Sequence, residues 1–104
     1  MRKIDRTEFQ KQVLQEKEKK VLLFFTKENM EGEVEAILKK LEASFPNINI
    51  FKIDAEEEKI LAFNYQAMEL PHLILMERGE VIGSIHGNLS EEIILELLKV
   101  EKGL

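Results

Sequence analysis

Few side chains in this 104-residue sequence are of a type that does chemistry. His72, with Glu28, Glu31 and Glu33 of the stretch TKENMEGE, supplies the imidazole and carboxylates that ligate divalent cations or act as general acid and base. No H-x-x-E or similar local spacing joins them. The plainer reading makes His72 a strand residue at a sheet end and the glutamates a solvated helix start. His86, just before Gly87, reads as a strand-end histidine with a structural or surface place. Thr26, Ser44, Ser84 and Ser90 have no G-x-S-x-G elbow, and neither G-x-G-x-x-G nor the Walker pattern occurs. Cysteine is absent altogether, which removes the thiolate nucleophile and any disulfide.

Composition narrows the field further. Apolar residues make up 44% and charged residues 34% of the chain, too apolar for disorder and ordinary for a soluble globular protein. A formal net charge of -5 disfavours nucleic acid and anionic membranes as partners. The longest apolar run, Val21–Phe25, falls far short of the roughly 20 residues of a membrane span. Arg2 and Lys3 are followed by Asp5 and Glu8 rather than an apolar stretch, so no signal peptide is read. With no cysteine to argue for secretion, a cytoplasmic location is expected.

The elements that must position these residues follow from periodicity. A weakly marked first strand lies around Lys3–Ile4. Thr7 to Leu14 reads as a helix opened by a capping box, Thr7 with Gln10, with Phe9 and Val13 on one face. Val21–Phe25 is apolar throughout, as a strand covered on both faces should be. Val34, Ile37, Leu38, Leu41 and Phe45 form one helical stripe, acidic at its start and ended by Pro46. Ile48–Ile53 is a strand, and Ala55–Tyr65 a helix with Ile60, Leu61 and Tyr65 inward. His72–Glu77 and Glu80–His86 form a hairpin around Arg78-Gly79. Ser90 caps a last helix, Glu91–Val100, whose Ile93, Ile94, Leu97 and Leu98 face the sheet. The order β-α-β-α-β-α-β-β-α gives an α/β fold with a mixed sheet between helices. A single domain over residues 1–104 is expected, with no internal repeat or linker.

The stretch from Tyr65 to Leu98, YQAMELPHLILMERGEVIGSIHGNLSEEIILELL, resembles the end of a thioredoxin. Tyr65 stands six residues before Pro71, and Leu70-Pro71 is similar to the apolar residue and cis-proline that flank that family's active site. Gly79, Gly87, the Leu89-Ser90 cap and Asp54 also fall at the family's places. The resemblance spans nearly the whole chain and implies a thioredoxin-like fold. It also implies where the redox cysteines would stand: at Glu28 and Glu31, or in other registers at Asn29 and Gly32 or at Met30 and Glu33. The family's buried aspartate would fall at Leu22 or Leu23 and its lysine at Ile50. The redox apparatus is thus missing as a set.

The resemblance further implies a shallow apolar groove, formed here by Met30, Met68, Leu70, Pro71 and His72, that takes an extended peptide by main-chain hydrogen bonds. The leading expectation is therefore a redox-inactive module that binds a protein or peptide, without cofactor or metal. In a plainer reading Met30 and Met68 only fill core edges. The alternatives are a carboxylate and His72-based enzyme, with or without a divalent metal near the acidic helix start, and a subunit of a homo-oligomer joined at the sheet edge. The Leu70–Pro71 bond is expected to be cis. Thiol-dependent reduction of a protein disulfide should not rise above a heat-denatured control at any pH. Introducing cysteines through Glu28→Cys and Glu31→Cys should restore feeble turnover at most, because Leu22, Leu23 and Ile50 provide no proton relay.

Overall fold

The computed structural model describes residues 1–30 and 32–100. Five strands, β1 (Arg2–Lys3), β2 (Lys20–Thr26), β3 (Ile48–Asp54), β4 (His72–Glu77) and β5 (Glu80–His86), form one sheet in the order β1-β3-β2-β4-β5. β1 and β2 run parallel to β3, whereas β4 runs antiparallel to both β2 and β5. The helices are α1 (Arg6–Phe9), which continues as a π-helical stretch over Gln10–Leu14, α2 (Glu33–Ser44), α3 (Lys59–Asn64) and α4 (Glu91–Val100).

Two apolar layers hold these elements together. Alternate residues of β2 point to opposite faces, so Val21, Leu23 and Phe25 pack with Phe9, Val13, Leu61 and Ala62. Leu22 and Phe24 pack on the other side with Leu38, Leu41, Ile94 and Leu98. The α2 stripe therefore lies where its spacing places it, with Val34, Ile37 and Phe45 half-buried against the same layer. The tight hairpin between β4 and β5 has Arg78 at φ 51° and Gly79 at φ 78°, the left-handed pair of a type I′ turn. A Cβ on Gly79 would also approach the Leu14 carbonyl oxygen at 3.2 Å.

Several expectations are corrected. The first helix is capped by Asp5, not Thr7: Asp5 Oδ1 accepts from the Glu8 amide at 2.9 Å, and Glu8 Oε1 from the Asp5 amide at 3.3 Å. α3 is shorter than Ala55–Tyr65 because the Asp54 carboxylate accepts from the amides of Glu56 and Glu57, at 2.8 and 3.1 Å, and holds that segment in a turn. The shortened helix turns Ile60 outward, 61% exposed. Ile93 is likewise 43% exposed, because α4 contacts the sheet through Ile94, Leu97 and Leu98. Ser90 does cap α4, its Oγ accepting from the Ile93 amide at 3.2 Å.

Phe24 is fully buried and Phe63 is 70% exposed, so the same substitution should have unequal consequences. Phe24→Ala should cost about 3–5 kcal/mol in denaturant unfolding, whereas Phe63→Ala should change stability by no more than about 0.5 kcal/mol.

Candidate functional site

The loop between β2 and α2, residues 27–32, occupies the place where the redox motif was expected. Its described part contains Asn29 at φ 77° and closes with the Met30 amide donating to the Lys27 carbonyl at 3.1 Å. Glu28 is exposed. Glu31, the second expected cysteine position, lies outside the described residues. Beneath the loop, Leu22, Leu23 and Ile50 are buried and apolar. No proton-carrying side chain stands at those positions.

Two depressions open near this end of the sheet. The first, about 230 Å³, is lined by Lys3, Thr26, Lys27, Glu28, Lys52, Asp54 and Glu57. Its charges are largely matched: Lys3 Nζ lies 3.0 Å from Glu57 Oε1, and Lys52 Nζ lies 3.1 Å from Glu35 Oε1 on α2. Burial alone would raise the pKa of Glu35. The hydrogen bonds and charges of Lys52 and Lys39 outweigh that and hold it below the ordinary value.

The second depression, about 240 Å³, has an apolar floor of Ala55, Ala62, Ala67, Met68 and Leu70, edged by Lys27, Glu56 and Lys59. It brings together Met68, which is 62% exposed, and the half-buried Leu70. Met30 is half-buried and does not line it, and neither do Pro71 and His72. The Leu70–Pro71 peptide bond is cis. Among the described residues, neither the amide nor the carbonyl of Leu70 has a hydrogen-bond partner, whereas the flanking Ala67 amide donates to Ala62 and the Pro71 carbonyl accepts from Gly87.

His72 is not a surface ligand. Its side chain is 5% exposed and stacks on His86 of β5, ring centroids 5.1 Å apart. His86 Nδ1 in turn lies 3.8 Å from Glu69 Oε2. Counting evenly from the Arg78-Gly79 turn would pair His72 with Ile85. The bulge that shifts the ladder between Leu75 and Met76 brings His86 opposite His72 instead, and no signal in the sequence marks that shift. Among the described residues, no group of three histidine, aspartate or glutamate side chains is placed to hold a metal ion.

A mixed five-stranded sheet between helices, with a cis-proline leading into the first strand of its terminal hairpin, defines a protein of the thioredoxin fold. The chain belongs to the thioredoxin family, whose family model matches residues 1–100. Among solved structures, it is similar to a point mutant of thioredoxin from Halobacterium salinarum NRC-1. That likeness has 24% identity and a TM-score of 0.81, covering 100% of this chain and 91% of the other. At that identity the likeness speaks for the fold. Comparison with curated proteins finds none that matches. Without a cysteine, the disulfide chemistry of thioredoxins is not available to this chain. No helix among the described residues is long and apolar enough to cross a membrane.

An amide without a partner exchanges readily with solvent, and those of a central strand do not. The Leu70 amide should therefore exchange at the first time point measured by NMR, while those of Leu73, Ile74 and Leu75 stay protected. Slow exchange at Leu70 would show that its backbone is already engaged.

Proposed function

We propose that this thioredoxin-family protein is a redox-inactive binding module that holds an extended protein or peptide segment along Leu70. The observation that carries the reading is the unpartnered amide and carbonyl of Leu70 beside the apolar floor of Ala62, Ala67 and Met68. A strand-like segment laid there would satisfy both groups, and its side chains would rest on the apolar floor. Met68 suits such a surface because its unbranched thioether adapts to different partners. Main-chain recognition gives weak, sequence-tolerant binding. The acidic chain is read as acting on a protein partner in the cytoplasm rather than on nucleic acid or membrane.

The alternatives are less well supported. A catalyst built on His72 would need that ring to reach substrate, and it is buried against His86. Assembly through the sheet edge meets a bulge in β5, where the β4 partners shift between Leu75 and Met76. Bulges of this kind blunt edge pairing.

Titration with short apolar peptides should shift the amide signals of Met68, Leu70 and Ala67 in NMR spectra. N-methylation of the peptide backbone should abolish the shifts, and Met68→Asp should weaken binding several-fold. Shifts that map away from these residues, or N-methylated peptides that bind equally well, would overturn the proposal.

A further inference from the structure

His72 and His86 face each other across the β4–β5 ladder, their rings stacked at 5.1 Å with 26° between planes. Nδ1 of His72 is buried and has no hydrogen-bond partner. His86 Nδ1 sits 3.8 Å from Glu69 Oε2, an ion pair only when His86 is protonated, so the outer ring stands between the segment before Pro71 and the end of β5. The Gly87 amide donates to the Pro71 carbonyl at 3.1 Å and closes the same junction through the backbone. The loop carrying Met68 and Leu70 is thus fastened to the sheet at a point made of two titratable rings.

We propose that His72, His86 and Glu69 form an acid-sensitive latch, which fixes residues 67–71 against the end of β5 while His72 is neutral and releases them when it is protonated.

The physical argument is one of unmatched charge. A protonated His72 would need a partner at the buried Nδ1, and none is present. The charged groups that act on the ring are His86 on β5 and Glu69 on the preceding loop. Its partner on β2 is the apolar Phe25, and Ile74 and Ser84 form the next pair on the same face. Tyr65, at the end of α3, lines the adjoining depression with Ile74 and Ser84, and burial raises its pKa further above the neutral range. Charging both histidines would bring two cations into ring contact, with the exposed Glu69 carboxylate 3.8 Å from the outer one. Separating the loop and the strand end lets His72 reach water.

The sign of the pH dependence follows. Burial holds the pKa of His72 below 6.5; the Glu69 carbonyl opposes this, the charge of His86 adds to it and that of Glu69 opposes it. A base with a depressed native pKa stabilises the closed form above its ordinary pKa. That contribution is lost as pH falls through the native value. The latch is therefore closed at neutral pH and opens on the acid side. None of this depends on whether a peptide occupies the groove.

The test is an NMR titration of the full chain from about pH 8 to about pH 4.5, reading the histidine ring signals and backbone amides. The His72 ring should titrate below 6.5. Signals of Ala67, Met68 and Leu70 should move with the same midpoint, and the protection factor of the Gly87 amide should fall at least about tenfold. His72→Phe keeps an apolar ring in place and should abolish the loop response, with Glu69 and His86 still present. A His72 midpoint at or above 6.5, loop signals that ignore it, or the same response in His72→Phe would overturn the latch. Should His72→Phe fail to fold, the wild-type midpoints alone decide the matter.

Discussion

The molecule is organised around a central strand whose Val21–Phe25 run has no room for a polar group. Each residue of β2 from Val21 to Thr26 is buried, and helices cover both faces of the sheet it occupies. A strand in that position must be apolar at odd and even positions alike, because each parity meets a hydrophobic layer. That demand explains the unbroken VLLFF run. It also explains why the proton relay positions can be leucine and isoleucine: without a thiol to titrate, an unpaired buried carboxylate would only add a desolvation cost.

Chemistry is consequently displaced to the ends of the strands, where two surfaces of different character adjoin. Lys27 borders both. On one side the polar depression is closed in by matched pairs, Lys3 with Glu57 and Lys52 with Glu35, so most of its charges already have partners within the chain. On the other side the apolar floor and the backbone of Leu70 are left open. The Ala67 amide and the Pro71 carbonyl on either side have partners, whereas among the described residues the Leu70 amide and carbonyl have none. That contrast makes the Leu70 edge the stronger candidate for recognition.

Much of this architecture was legible in the chain. The hairpin strands His72–Glu77 and Glu80–His86 have the expected limits, since Arg78-Gly79 sets the turn, but the bulge that shifts their pairing between Leu75 and Met76 was not legible. The α2 stripe faces the core as its spacing requires. Errors gathered where a local hydrogen bond competes with helix geometry. Asp5 took the cap assigned to Thr7, and Asp54 captured the amides of Glu56 and Glu57 and so delayed α3. Ile60 and Ile93 point outward because a short or terminal helix touches the sheet along a narrow line, and hydrophobicity alone does not say which residues lie on it.

The sequence by itself determined the order of the elements, the apolar character of the central strand and the impossibility of thiol chemistry, since composition and periodicity act locally along the chain. Only the tertiary structure decided which candidate residues meet. It placed Met68 beside Leu70, kept Met30 out of that groove and turned His72 inward onto His86. Those outcomes depend on strand pairing and helix position between segments distant in the chain. A side chain's type says what it can do, but its neighbours are set by packing.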